Sequence, residues 1–189
     1  MYRAITLFAL SHQVAMEDAR ALGAIAAKVT MEFKMDGDIN RLFLNGEDVT
    51  EAIRSPEVTE NVSEVSSYRE VREAMVARQQ EMAKNGNVVA EGRDTTSVVF
   101  PDADLKIYLE ASVKERARRR LIDFTHQGIS SSIEEQMELL NKRDSFDSGR
   151  RNSPLTKTRD SITIDTTNLN IEEQVEKIIR LFKTNLRRV

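Results

Sequence analysis

The first ninety residues alternate between helix-like and strand-like spacing of apolar side chains. Tyr2 to Leu10 is dense in apolar residues and predicts a buried helix with no capping residue before it, and residues 15–28 predict a second, alanine-rich helix. The string VTMEFK alternates as a half-buried strand does. After a turn at Asp36-Gly37, RLFLNGEDV predicts a second strand and an Asn45-Gly46 turn. We therefore expect a small β-hairpin between helices.

The rest of the chain predicts helices that alternate with buried strands. Pro56 after Ser55 is typical of a helix start, and Tyr68 to Lys84 predicts a further helix. The strings NVVAEG (residues 87–92), ADLKIYLEA and SITIDTT each predict a strand, and the last two precede helices. This alternation favours a parallel α/β sheet with ligands bound at the carboxyl ends of its strands.

Composition excludes several classes of protein. With 189 residues, 40% hydrophobic and 31% charged, the chain is typical of one soluble globular domain over residues 1–189. A net charge of −3 gives no overall attraction to nucleic acid or to an anionic membrane. Cysteine is absent, which excludes disulfides and thiolate ligands, and with two histidines we expect no metal held by protein side chains alone. Neither a signal peptide nor an apolar stretch of ~20 residues occurs, so we expect a cytoplasmic protein.

Glu91-Gly92-Arg93-Asp94 forms the first candidate functional motif, at the predicted end of a strand. Glycine lets the backbone approach a ligand, arginine can bind a phosphate through two parallel hydrogen bonds, and aspartate can accept from an amine. The alternative is a loop ion pair of Arg93 with Asp94 or Glu91. These four residues do not distinguish the two.

A second candidate is the charged stretch that contains Arg143, Asp147 and Arg150. The spacing i, i+4, i+7 predicts that all three share one helical face, where two cations would flank a carboxylate. Such a face suits a phosphorylated sugar with free hydroxyls. A solvated ladder of ion pairs is the alternative.

The third candidate is KERARRR at residues 114–120, a basic segment on a predicted helix. It can be a solvated helix face, a clamp for a polyphosphate, or a nucleic-acid patch. No aromatic residue is interleaved to stack on bases, so nucleic acid is the poorer choice.

The strings EGRD, VVFPDADLKIYLEAS, ERARRR and KRDSFDSGRRNSPL together resemble the bacterial cytidylate kinase family, a branch of the P-loop nucleoside monophosphate kinases. The likeness runs from Tyr2 to the C-terminal helix. It implies a parallel sheet with flanking helices, a small β-containing nucleotide-binding insert at residues 29–84 and a lid region at residues 112–155. It also implies a monomer that transfers the γ-phosphoryl group of ATP, carried with Mg²⁺, to CMP or dCMP.

The resemblance also implies roles for individual residues, carried over by position. Arg3 and Arg93 would hold the acceptor phosphate, and Ser63, Arg72 and Asp94 would read the cytosine edge. Arg143 and Asp147 would take the ribose side, with Arg143 and Arg150 near phosphates. The implied substrate-binding set is therefore Arg3, Ser63, Arg72, Gly92, Arg93, Asp94, Arg143, Asp147 and Arg150; the implied catalytic set is Arg93, Arg116 and Arg119; and the implied ATP-binding residues are Arg116 and Arg118.

One family motif does not occur among the 189 residues: the phosphate loop G-x-x-x-x-G-K-[ST], whose backbone N–H groups cradle phosphate. In the family this loop precedes a Tyr-Arg pair, which here is Tyr2-Arg3. We therefore expect that Met1 corresponds to an internal methionine, and that a first strand, phosphate loop and helix of roughly forty residues are missing. Activity of this exact chain is then in doubt. An inactive remnant that binds CMP is the main alternative function, and a nucleic-acid-binding protein is the third.

Overall fold

The computed structural model describes residues 1–126 and 128–186. Its helices are Tyr2–Ser11 (α1), Ala19–Lys28 (α2), Pro56–Val65 (α3), Arg69–Met82 (α4), Val113–His126 (α5), Ile133–Gly149 (α6) and Ile171–Leu186 (α7). Its strands are Met31–Asp36 (β1), Ile39–Leu44 (β2), Glu47–Asp48 (β3), Ile107–Glu110 (β4) and Ile162–Asp165 (β5). A 3₁₀ turn spans Ala52–Arg54 and a π-helical turn spans Thr95–Val99.

The chain divides into two compact units. Unit 1 contains Met1–Ala90 together with the short segment Arg150–Ser153, and unit 2 contains Glu91–Gly149 and Pro154–Val189. Each unit mixes helices with a small sheet.

Local capping explains where the helices of unit 1 begin. The predicted first helix is confirmed, and no side chain caps it. Helix α2 begins at Ala19, later than predicted, because the Asp18 carboxylate accepts a hydrogen bond from the Ala21 amide at 2.9 Å and so defines the N-terminus. The start of α3 is as predicted, since Ser55 caps it and Pro56 occupies its first turn.

The predicted β-hairpin is confirmed. Strands β1 and β2 pair antiparallel from Met31 opposite Leu44 to Asp36 opposite Ile39, with β3 on the far side of β2. The second turn needs two residues with positive φ, which Asn45 at +51° and Gly46 at +87° provide.

The hairpin shares one hydrophobic core with the helices of unit 1. Its inward side chains pack with fully buried side chains of α1, α2 and α4, and apolar burial of this kind is the main stabilising contribution to a fold. The buried members of this core are Ala4, Ile5, Ala9, Met16, Leu22, Ala26, Val29, Met31, Leu42, Leu44, Val49, Val65, Val71 and Met75.

Unit 2 contains the parallel strand pair that the alternating pattern predicts. Strand β4 pairs with β5 from Ile107 opposite Ile162 to Glu110 opposite Asp165. Helix α5 follows β4 and packs against α6, with Ala117 fully buried. The carboxyl ends of both strands therefore lie at the same edge, next to the start of α5.

The strand predicted over residues 87–92 is wrong. The structure has no strand there, and Val88 and Val89 are exposed, Val89 completely. A strand requires a neighbour that accepts and donates the ladder hydrogen bonds, and no described strand pairs with this segment. The prediction of this strand was wrong because it rested on the apolar composition of the segment alone.

The single helical face predicted for Arg143, Asp147 and Arg150 is also wrong in part. Helix α6 carries the first two but ends at Gly149. Arg150 lies beyond the helix and belongs to unit 1. Glycine has a low helix propensity, which favours a helix end at this position.

Among the residues that the structure describes, no helix combines the length and apolar character needed to cross a membrane.

Candidate functional site

Two arginines of unit 2 converge on the buried carboxylate of Asp147. Arg93 Nε donates to Asp147 Oδ2 at 2.9 Å, and Arg143 Nε lies 3.8 Å from the same oxygen. The Asp147 side chain is 3% exposed, whereas that of Arg93 is 43% exposed. The three side chains together carry one net positive charge, and the Arg93 side chain is partly open to solvent. This arrangement suits an anionic ligand.

The loop before Arg93 is shaped for close backbone approach. A Cβ added at Gly92 would lie 2.9 Å from the Thr95 methyl carbon, so a larger residue would force the loop to shift. Asp94 follows as a buried acid, and its carbonyl accepts from the amides of Val98 and Val99 in the π-helical turn. Short π-helical turns are frequent at functional sites.

The basic segment of α5 is organised by one glutamate. Arg118 binds Glu115 through two hydrogen bonds of 2.8 Å, and Arg119 Nε donates to Glu115 Oε1 at 2.8 Å. The hydrogen bonds from Arg118, followed by those from Arg119, lower the pKa of Glu115 to about 2. Glu115 is therefore ionised at neutral pH and orients both guanidinium groups.

The other arginines of α5 are anchored by different partners. Arg116 donates to Asp144 of α6 at 2.6 Å and to the Ala111 carbonyl at 3.2 Å. Arg119 also donates to the Thr166 hydroxyl at 3.1 Å and to its carbonyl, just after β5. The segment is therefore not a simple solvated helix face, because its arginines also bind Asp144 in α6 and the loop residues Ala111 and Thr166.

Two candidate residues of unit 1 lie on α1 and α3. Arg3 donates through Nη1 to the Ile53 carbonyl at 3.0 Å and to the Thr59 hydroxyl at 2.9 Å. Ser63 is half-buried on α3, and its carbonyl accepts from the Ser66 hydroxyl at 3.0 Å. The two oxygens that accept from Arg3 therefore hold its guanidinium against the start of α3.

Arg72 is a buried cation on α4 with two kinds of support. Its Nη1 donates to the Ser66 carbonyl at 2.8 Å, and its guanidinium lies over the Tyr2 ring at 5.0 Å from the centroid. The residue is 4% exposed. Few rotamers are open to a side chain held in this way, so Arg72 presents a fixed hydrogen-bonding edge.

Arg150 reaches the same turn as Arg72. Its Nη1 lies 3.5 Å from the Ser66 hydroxyl, and its Nε donates to the Ser153 carbonyl at 2.7 Å. Asn152 donates to the Ser67 carbonyl at 3.2 Å. Ser66 and Asn152 are not among the residues predicted from the sequence, because nothing in the local sequence indicates contacts across 84 or 85 positions.

The structure brings candidate residues together in three sets. Unit 2 groups Arg93 and Arg143 around Asp147, and it groups Arg118 and Arg119 around Glu115. In unit 1 the Ser66-Ser67 turn binds Arg72 and Arg150. Thr166 is a further residue that the motifs did not indicate. No group of three acidic, histidine or cysteine side chains that could hold a metal ion occurs in residues 1–126 and 128–186.

Comparison with known proteins gives the family. The sequence model of the family described as cytidylate kinase matches residues 1–184. A cytidylate kinase of Bacillus cereus (strain B4264) is 46% identical over 181 residues, which make up 96% of this chain and 80% of that protein. A cytidylate kinase of Bacillus thuringiensis (strain Al Hakam) is 47% identical over 179 residues, 95% of this chain and 80% of that protein.

The match extends over nearly the whole chain, and the helices and the parallel strand pair agree with a mixed α/β fold. The chain belongs to the cytidylate kinase family of nucleoside monophosphate kinases, which are transferases with a mixed α/β fold.

Proposed function

We propose that this chain binds CMP or dCMP as the acceptor for the γ-phosphoryl group of ATP. The observation that carries the proposal is the approach of Arg93 and Arg143 to the buried Asp147. Two guanidinium groups around one carboxylate attract a phosphate dianion, and the carboxylate can accept from sugar hydroxyls. We also assign Arg3 to the phosphate, and Gly92 to the loop that carries Arg93, where an added Cβ would meet the Thr95 methyl carbon.

Selection of cytosine would depend on Ser63, Arg72 and Asp94. Cytosine presents an amine donor beside ring acceptors, so it pairs with an acidic acceptor and a guanidinium donor. Uracil has a carbonyl in place of the amine, so it would place an acceptor against the buried Asp94 carboxylate. Two acceptors that face each other cannot form a hydrogen bond, which is why such a site can reject a close analogue.

The arginines of α5, together with Arg93, would act on the transferring group. An acceptor phosphate oxygen attacks the γ-phosphorus as the bond to the ADP oxygen breaks, and negative charge is spread over the equatorial oxygens. Preorganised cations stabilise that charge without reorganisation during the reaction. We assign this role to Arg93, Arg116 and Arg119, and contact with ATP to Arg116 and Arg118. Glu115 and Asp144 would hold the α5 groups in position.

Magnesium enters this proposal as the ion that ATP carries, where it neutralises charge on the phosphates. We assign it no protein ligands, since no cluster of three candidate ligands is found among the described residues. The loop G-x-x-x-x-G-K-[ST] does not occur in the chain, and so we assign the cradle of the ATP phosphates to no residue here. We keep residues 29–84 as the acceptor-binding insert and residues 112–155 as the lid region.

Separate measurements of binding and transfer test the proposal. Isothermal titration calorimetry without ATP should show that CMP and dCMP bind at least tenfold more tightly than UMP, and Asp94→Asn should reduce that preference. Formation of CDP and ADP from CMP and Mg²⁺-bound ATP then tests transfer. Binding of CMP without transfer would contradict the donor part of the proposal, and equal binding of CMP and UMP would overturn the acceptor part.

A further inference from the structure

The turn between α3 and α4 contacts two arginines that come from distant parts of the sequence. We propose that Ser66 and Asn152 are positioning residues for Arg150, so that the Ser66-Ser67 turn aligns Arg72 and Arg150 with the same acceptor nucleotide. This inference rests on the proposed function, in which Arg72 reads the base and Arg150 lies near phosphate.

The turn itself is firmly held. Ser66 is buried, its hydroxyl donates to the Ser63 carbonyl at 3.0 Å, and its amide donates to the Val62 carbonyl at 3.0 Å. Its own carbonyl accepts from Arg72 at 2.8 Å. A turn fixed at both ends by helices is a rigid base for an attached arginine, because its polar atoms cannot reorient independently.

The segment Arg150–Ser153 is attached to this turn at two points. The Ser66 hydroxyl lies 3.5 Å from Arg150 Nη1, and the Ser67 carbonyl accepts from Asn152 Nδ2 at 3.2 Å. A third hydrogen bond of 2.7 Å, from Arg150 Nε to the Ser153 carbonyl, closes the segment on itself. Two of the three contacts hold the Arg150 guanidinium, and the third attaches Asn152, two residues further on, to the same turn.

The backbone of this segment is strained, which shows that the contacts constrain it. Ser153 has a φ of +46°, in the left-handed region that residues other than glycine rarely adopt, and Pro154 follows it. A residue before proline favours extended backbone. Strained conformations of this kind persist where surrounding contacts hold them, and they are concentrated at ligand sites.

Fixing Arg150 matters because it lies outside a helix. Helix α6 ends at Gly149, so no helical backbone restricts the position of the next residue. An arginine free to sample its rotamers must lose that entropy when it binds phosphate. Because Asn152 and Ser66 restrict Arg150 before the ligand binds, part of this entropy cost is removed. The two residues should therefore raise the affinity for the phosphate group and leave the affinity for the nucleoside unchanged.

Calorimetry with CMP, UMP and cytidine tests the inference. Asn152→Ala and Ser66→Ala should each weaken CMP binding roughly threefold to tenfold, the equivalent of one net hydrogen bond. Cytidine affinity should not change, because cytidine lacks the phosphate. The ratio of CMP to UMP affinity should also hold, since Arg72 binds a backbone carbonyl that neither substitution removes.

Two further variants control for folding and shape. Asn152→Leu keeps the size of the side chain without its donor, so it should match Asn152→Ala. Asn141→Ala replaces an exposed asparagine on α6 and should leave all affinities unchanged. Thermal unfolding of each variant shows whether the fold is retained.

The outcomes separate this inference from the proposed function. If the substitutions weakened the binding of CMP and cytidine equally, Asn152 and Ser66 would have a merely structural role and the inference would be overturned. It would also be overturned if neither ligand lost affinity. If the unsubstituted chain bound CMP no better than cytidine or UMP, the proposed function itself would fail.

Discussion

Arg93 and Asp147 form a 2.9 Å ion pair between residues 54 positions apart, joining the Gly92-Arg93-Asp94 loop to α6. The Asp147 side chain is 3% exposed and the Arg93 side chain 43% exposed. A pair that is open on the side of its cation can bind an anion without first breaking, because the arginine retains donors beyond the one that Asp147 uses.

Removing the charge of Asp147 should weaken both folding and binding. Asp147→Asn keeps the shape but leaves Arg93 and Arg143 with a neutral partner, so we expect a loss of about 1–3 kcal/mol in the free energy of unfolding. CMP affinity should fall at least tenfold. Chemical denaturation and calorimetry measure the two effects.

The matched control is an exposed ion pair of the same chain. Glu176→Gln removes the partner of Arg180 on α7, where both side chains are more than half exposed. Such pairs contribute little, and we expect a change below ~0.5 kcal/mol and no effect on CMP affinity. Equal effects at Asp147 and Glu176 would contradict the role given to the buried carboxylate.

Close packing of α2 against α4 depends on Gly23. A Cβ at this position would lie 2.5 Å from the Glu70 Cβ, closer than real contacts allow. Gly23→Ala should therefore lower the free energy of unfolding by roughly 1–3 kcal/mol, although alanine favours a helix by about 1 kcal/mol. Thermal or chemical unfolding measures the change.

Gly149→Ala provides the comparison, since nothing lies within 4 Å of a Cβ there and the residue ends α6. This variant should be neutral or slightly more stable. If the Gly23→Ala protein were as stable as the Gly149→Ala protein, the close packing of α2 against α4 would not contribute to the free energy of unfolding.

Acid should weaken the cluster around Glu115. Hydrogen bonds from Arg118 and Arg119 lower the pKa of this carboxyl from 4.5 to about 2 in the folded chain. Because the folded pKa is below the unfolded one, the stabilisation is fully present above pH 4.5 and is lost as the pH falls towards 2. Thermal unfolding across this range should therefore depend less on pH in Glu115→Gln than in the unsubstituted chain.

Glu60→Gln, an exposed substitution on α3, is the control and should keep the original pH dependence. If Glu115→Gln also kept it, the two arginines would not stabilise the Glu115 carboxylate in solution.

Stacking of Arg72 on Tyr2 should be measurable as a coupling energy. The guanidinium carbon lies 5.0 Å from the ring centroid and the arginine is buried, so the pair should contribute about 0.5–2 kcal/mol. A double-mutant cycle with Tyr2→Leu and Arg72→Leu isolates this energy from the other contacts of each residue. Additive effects of the two substitutions would show that the ring does not stabilise the cation.

Loss of Arg72 should also change base selection. Arg72→Lys retains the charge but not the planar fork of donors, so the preference for CMP over UMP should fall at least tenfold while the fold persists. Calorimetry with both nucleotides measures this. Arg69→Lys, on the exposed side of the same helix, should leave the preference intact.

Local signals predicted the hairpin and the start of α3 correctly. The hairpin turn depends on the positive φ angles of Asn45 and Gly46, and the start of α3 depends on the Ser55 cap and on Pro56. Each of these features involves atoms only a few residues apart, so the local sequence predicts it. The sequence motifs also indicated the right family, which the match over residues 1–184 confirms.

Contacts between residues far apart in the sequence could not be predicted in the same way. The string NVVAEG has the apolar character of a strand, but whether it forms one depends on a neighbour that its own residues do not specify. The contacts of Asp147 with Arg93 and of Ser67 with Asn152 join positions 54 and 85 apart. Turns and caps follow from local hydrogen bonding, whereas strand partners and ion pairs depend on how distant segments pack, and that packing exists only in the folded chain.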